Sequence, residues 1–187
     1  MINMRKTIRI ENIVASTKID IDEPLDLRSI AFAIDNANYD PDRFSGIIYK
    51  TTNPKTTTLI FSSGKLVCTG AKNIEDVHKG LESLFNKLRE LDIQINNKPE
   101  IIVQNVVASA DLEKDLNLDR IAFSLGPENV EYEPEQFPGL VYRIEKPKSV
   151  LLMFGSGKII VTGNNSEKNA QLAVDETIEK LEELGLY

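Results

Sequence analysis

With 187 residues, 41% of them hydrophobic, and a formal charge of -7, the chain is long enough to bury a sizeable core and is not the basic polypeptide expected of a non-specific nucleic-acid binder. The opening MINMRKTIRI has no apolar signal region, and no stretch has the apolar length of a membrane span, so the expectation is a protein neither exported nor inserted in a bilayer. One cysteine, Cys68, and one histidine, His78, exclude an internal disulfide and the usual zinc sets; with no carboxylate pair or Gly-rich phosphate loop, neither an enzyme nor a cofactor is expected.

In chain order, TIRIENIVAS (7–16) alternates as a strand. Pro24 introduces a helix with Leu27, Ile30, Ala31 and Ile34 on one face. The turn-rich YDPDRF leads into a strand through GIIYK, and Asn53-Pro54-Lys55 is a turn, because proline cannot donate to a central ladder. Strands TTTLIFS and KLVCTG follow, joined at Ser63-Gly64. Ile74, Val77, Leu81, Leu84, Phe85, Leu88 and Leu91 then mark a long amphipathic helix that presents His78 to solvent or to the boundary.

From Gln104 the same order returns. QNVVAS answers ENIVAS, and Leu118, Ile121, Ala122 and Leu125 repeat the first helical face. YEPEQF, GLVYR, the Lys146-Pro147-Lys148 turn, the Ser156-Gly157 turn and a final helix with Ala170, Val174, Ile178, Leu181 and Leu184 complete the copy. Phe44/Phe137, Gly46/Gly139, Tyr49/Tyr142, Leu59/Leu152 and Phe61/Phe154 all lie 93 residues apart. Two long copies do not make a solenoid, which needs several short units. The pattern is a duplicated half-domain, residues 1–93 and 94–187 forming one core about a pseudo-twofold axis. Each half reads strand, helix, four strands, helix. This is an α+β order, with an antiparallel sheet and helices on one side.

Strand parity separates the two faces of the sheet. Ile13, Ala15, Ile60, Leu66 and Cys68 suit burial under the helices. The other parity carries Asn12, Val14, Leu59, Phe61, Lys65, Val67 and Thr69, matched by Asn105, Val107, Leu152, Phe154, Lys158, Ile160 and Thr162. Two helices per half cover one face only. The second face is therefore either a binding surface, with the aliphatic, amide and aromatic chemistry of a minor-groove reader, or is closed in a sandwich or against a second copy. The charges are unevenly spread. Arg43, Lys50, Lys55, Lys65 and Lys72 occur with no acid among them, whereas VDETIEKLEEL near the C-terminus is strongly acidic.

These residues resemble the TATA-box-binding protein family in its archaeal, two-repeat form. The resemblance runs from about Ile8 to Leu184 and rests on NIVAS with NVVAS, on Y-x-P-x-x-F-x-G, on PKTTTLIFSSGK with its second copy, and on the paired Thr-Gly steps. It implies a saddle-shaped, curved antiparallel sheet with helices on the convex face and the concave underside on double-stranded promoter DNA. By that resemblance Phe44, Phe61, Phe137 and Phe154 are wedges between base steps. Asn12, Asn105, Thr69 and Thr162 read the groove acceptors, and Val14, Leu59, Val67, Val107, Leu152 and Ile160 form an aliphatic floor. Lys50, Lys65, Arg143 and Lys158 contact phosphates. Glu133, Glu135 and the neighbouring Gln136 meet a B-type general transcription factor, and RNA polymerase follows. The implied role is a transcription initiation factor, cytoplasmic and nucleoid-associated, that binds and kinks a TATA-like element. The reading from another class is a protein-interaction or small-ligand scaffold using the same apolar face; self-association of the DNA-free protein is left open.

Overall fold

The structure is a computed structural model and describes residues 6–95 and 98–187. By contacts the chain divides into two compact units. One is Asn12–Gln104; the other is Asn105–Tyr187 together with the described residues up to Glu11.

The unit Asn12–Gln104 contains most of β1 (Arg9–Lys18), then α1 (Leu27–Ala33), β2 (Ala37–Asn38), β3 (Ile47–Thr52), β4 (Lys55–Ile60), β5 (Lys65–Ala71) and α2 (Ile74–Glu90). Its strands pair antiparallel in the order β2-β3-β4-β5-β1. The other unit repeats this with most of β6 (Ile102–Asp111), then α3 (Leu118–Leu125), β7 (Val130–Glu131), β8 (Leu140–Glu145), β9 (Lys148–Met153), β10 (Lys158–Asn164) and α4 (Glu167–Glu183), in the order β6-β10-β9-β8-β7. The α+β antiparallel class expected from the sequence is thus present in each unit. The fourth strand after the first helix is the two-residue β2 or β7.

Local chemistry accounts for the helix ends. Asn73 caps α2 by accepting from the Asp76 N–H at 2.8 Å, Glu75 and Asp76 sit at its positive end, and Lys87 and Arg89 at its negative end. Ser166 caps α4 in the same way, from the Asn169 N–H at 3.1 Å. Both long helices close with a 6→1 bond, Ile93 N–H to the Leu88 carbonyl at 3.1 Å and Leu186 N–H to the Leu181 carbonyl at 2.8 Å. The residue that must adopt positive φ for this closure is Gly185 in α4 but Asp92, at φ 61°, in α2.

Within each unit the helices cover one face of the sheet: α2 packs on β4 and β5, and α4 on β10 and β9. The parity assigned to the core holds, because Ala15, Ile60, Leu66 and Cys68 are wholly buried and Ile13 nearly so. Two helical residues depart from the expected buried face. Ile74 and Leu184 are 45% and 37% exposed, since one opens α2 and the other caps α4, beyond the reach of the sheet. On the short helices the outward residues Phe32 and Phe123 are almost fully exposed.

Candidate nucleic-acid interface

In each unit the sheet face opposite the helices is half-buried, not bare. Asn12, Val14, Leu59, Phe61, Val67 and Thr69 in one unit, and Asn105, Val107, Leu152, Phe154, Ile160 and Thr162 in the other, all have intermediate exposure, because neighbouring strands stack their side chains shoulder to shoulder. Leu59 lies opposite Val67 and Leu152 opposite Ile160, so the aliphatic floor is a set of cross-strand pairs. The face also takes in Ile48 and Val141, register partners of Leu59 and Leu152, which the sequence reading did not single out. Their signal was available: Ile47 and Tyr49 are core, so the residue between them must point the other way.

A β-bulge organises the polar centre. On β5 the two residues Thr69 and Gly70 stand against Val14 alone, and on β10 Thr162 and Gly163 stand against Val107 alone. The bulge is built on glycine because its φ is 91° at Gly70 and 81° at Gly163. Each glycine N–H is displaced from the ladder and is taken by the adjacent asparagine: Gly70 donates to Asn12 Oδ1 at 2.7 Å, Gly163 to Asn105 Oδ1 at 2.9 Å. That bond fixes which way the carboxamide faces. Asn12 Nδ2 then donates to Thr69 Oγ1 at 3.1 Å, and Asn105 Nδ2 to Thr162 Oγ1 at 3.0 Å. A primary amide nitrogen carries two hydrogens, so each carboxamide retains a donor for an incoming acceptor.

Toward the end of each face stands a pair of phenylalanines. The Phe44 and Phe61 rings lie 5.7 Å apart at 67°, and Phe137 and Phe154 lie 5.9 Å apart at 71°, both edge-to-face. Phe61 and Phe154 arrive by strand parity. Phe44 and Phe137, whose direction parity could not give, are brought over by the turn in which Phe44 N–H bonds the Asp40 carbonyl at 2.9 Å and Phe137 N–H bonds the Glu133 carbonyl at 3.0 Å. The glycine two residues on makes the room: a Cβ at Gly139 would meet the Phe137 ring at 2.7 Å and the Phe154 ring at 3.0 Å, and one at Gly46 would meet the Phe44 ring at 3.0 Å.

Lys50, Lys65, Arg143 and Lys158 are all exposed around these faces. Arg143 is tethered, its Nε and Nη2 each 3.4 Å from Glu131 Oε1, whereas Asn38 stands where a Glu131 counterpart would face Lys50. Glu133, Glu135 and Gln136 are exposed on the turn between β7 and β8. The corresponding Asp40, Asp42 and Arg43 include an internal ion pair, Arg43 to Asp40 at 3.4 Å. Cys68 is buried in the core, and burial pushes its thiol above the ordinary range, against the weaker opposing effect of the Thr58 and Thr56 hydroxyls.

A family model described as "Transcription factor TFIID (or TATA-binding protein, TBP)" matches residues 7–91 and again residues 100–184. The chain belongs to the TATA-box-binding protein family. It is 55% identical over 186 residues to a TATA-box-binding protein E of Halobacterium salinarum, covering 100% of this chain and 99% of that protein. The TATA-box-binding protein of Thermoplasma acidophilum is likewise 55% identical, over 182 residues, with 97% and 98% covered. Among solved structures, the Methanococcus jannaschii TBP superposes with a TM-score of 0.84 at 44% identity, over 95% of this chain and 99% of that one. The two stretches matched by the family model lie 93 residues apart, the offset at which the sequence repeats. It is a family of transcription factors and not of enzymes.

Proposed function

We propose that this protein is a general transcription initiation factor that binds the minor groove of an A·T-rich, TATA-like promoter element, kinks it with its phenylalanine pairs, and offers the bent complex to a B-type transcription factor and RNA polymerase. The observation that carries this reading is the asparagine–bulge arrangement. An amide whose oxygen is consumed by a glycine N–H presents only a donor, and the groove positions common to A·T and T·A pairs are acceptors, adenine N3 and thymine O2. The aliphatic pairs around it leave the guanine N2 amino group without a partner, which costs about 1–3 kcal/mol for a buried polar group.

The family is itself the type case of a binder that inserts apolar wedges and bends DNA, and membership supports the same kink here. The geometry supplies its means. Phe44 with Phe61, and Phe137 with Phe154, are rings held by one another over a glycine, rigid enough to enter a base step. Unstacking costs a few kcal/mol per step, and the curved duplex then meets more protein surface. Lys50, Lys65, Arg143 and Lys158 take the flanking phosphates. For the B-type factor, Glu133, Glu135 and Gln136 form an acidic exposed loop, while in the first unit Arg43 neutralises the equivalent position. A partner that reads negative charge there distinguishes one unit from the other.

Fluorescence energy transfer across a duplex labelled at both ends tests the wedge. Phe154→Ala is expected to weaken binding and reduce the bend, and an unchanged bend angle refutes the assignment. Asn105→Ala or Thr162→Ala is expected to cut the preference for A·T-rich over G·C-rich duplex more than the affinity for either; equal losses on both rule out polar readout.

A further inference from the structure

The two units differ in charge at one repeated place on the open face. In the first, Lys18 at the end of β1 lies in register with Lys65 at the start of β5. In the second, the corresponding pair is Asp111 on β6 and Lys158 on β10. Lys18 has the same parity as Asn12, Val14 and Ser16, and Lys65 the same parity as Val67 and Thr69, so both ammonium stems leave the sheet on the open face. Residues directly opposite on antiparallel strands hold their Cβ atoms about 5 Å apart, and like charges so placed repel. Among the described residues neither Lys18 nor Lys65 forms an ion pair with a carboxylate. Both side chains line an open cleft with Ser16 and Ser63; its one acid is Glu100. Lys65 is also one end of the hairpin that presents Phe61, the Phe61 N–H bonding its carbonyl at 3.0 Å.

We infer that Lys18 and Lys65 form a two-lysine clamp for a single DNA phosphate beside the Phe61 wedge, a contact the second unit lacks because Asp111 stands where Lys18 would be. The inference rests on the minor-groove reading above. Two lysines at this spacing can face one phosphate from two sides, and the Ser63 hydroxyl adds a donor at the same cleft. The bound phosphate removes the repulsion that the free protein carries, so the clamp gains on binding what an ordinary surface lysine does not. In the second unit the Asp111 carboxylate stands beside Lys158 and repels a phosphate at the equivalent place, and the other cation lining that cleft, Arg9, is paired with Glu11 at 3.5 Å. The first unit therefore holds the backbone beside its kink more strongly than the second.

The salt dependence of binding decides this. Each phosphate neutralised on duplex DNA contributes about 0.9 to the slope of log affinity against log salt. Because the pair shares one phosphate, Lys18→Gln is expected to weaken binding several-fold at about 50 mM salt, and adding Lys65→Gln to lower the slope by about 0.9 in all, so that the double variant's loss of affinity between about 50 and about 200 mM salt is about 3.5-fold smaller than for the unsubstituted protein. Lys168→Gln, an exposed lysine on α4, serves as the control and is expected to leave the slope unchanged. Unchanged affinity for Lys18→Gln, a slope drop of about 1.8 for the double variant, or any slope drop for Lys168→Gln overturns the clamp while leaving the minor-groove reading intact. Absence of any preference of the unsubstituted protein for A·T-rich duplex would sink the functional reading itself, and the clamp with it.

Discussion

Where β5 ends in the fully buried Ala71, β10 ends in Asn164, whose Oδ1 and Nδ2 are both buried without a partner among the described residues. The contrast with Asn12 and Asn105 shows what decides the value of a strand asparagine. Those two sit beside a bulge whose glycine N–H needs an acceptor, and each satisfies it. Asn164 lies on the helix side, where no such group is free, and a buried polar group left unpaired costs about 1–3 kcal/mol. Asn164→Ala reproduces the first unit's residue at this site and is expected to raise the melting temperature by several degrees, given about 2–4 °C per kcal/mol for a chain of this size. Differential scanning calorimetry reads it directly, and a lower melting temperature would show that the amide is hydrogen-bonded in solution. Asn12 and Asn105 were legible in the sequence because asparagine is a poor strand residue and recurred mid-strand. Their orientation was not, since it depends on a bulge that only the register reveals.

At the scale of elements, the duplication acts as an internal control on packing. Gly80 on α2 lies against Thr56 on β4, and a Cβ added there would come within 2.5 Å of the Thr56 hydroxyl. In the second unit the same two positions are Ala173 and Ser149, both buried: the methyl group has moved from the strand to the helix. Thr56 cannot turn away, because a β-branched side chain is stiff at χ1 and its hydroxyl is bonded to Thr51 Oγ1 at 2.7 Å. Ser149 is free of that bond, Ile144 standing in place of Thr51, and its hydroxyl is left unpartnered as a result. Gly80→Ala alone gains about 1 kcal/mol of helix propensity but overpacks at a cost of about 1–3 kcal/mol, so net destabilisation is expected. Adding Thr56→Ala, which removes the hydroxyl and the methyl that the new Cβ would meet, should recover part of the loss, a coupling that a double-mutant cycle in urea measures; strictly additive effects would refute the contact. The alternation and the 3.6-residue periodicity made the long strands and helices legible. The two-residue β2 and β7 were not, because two residues carry no period, and the helix-end residues Ile74 and Leu184 followed the pattern past the point where there is a sheet to cover.

For the molecule as a whole, a net charge of -7 must be reconciled with a polyanionic target. Distance does so. In the second unit α4 packs on β10 and β9 on the side away from Ile160 and Lys158, and its outer face carries the exposed Glu176 and Glu179. A helix with its side chains is about 10–12 Å across. That exceeds the screening length of about 8 Å at physiological ionic strength but is well inside the roughly 30 Å that applies at about 0.01 M salt. The acids on α4 should therefore repel DNA at low salt and be invisible to it at physiological salt, whereas a lysine on the open face is felt at both. The double substitution Glu176→Gln with Glu179→Gln is expected to tighten duplex binding a few-fold at about 0.01 M salt and to leave it unchanged at about 0.15 M. Lys158→Gln, in contrast, should weaken binding under both conditions. Fluorescence anisotropy titrations of a labelled A·T-rich duplex at the two salt concentrations separate the cases: a gain from the glutamate substitutions that persisted at the higher concentration would mean that α4 lies closer to DNA than the sheet between them allows.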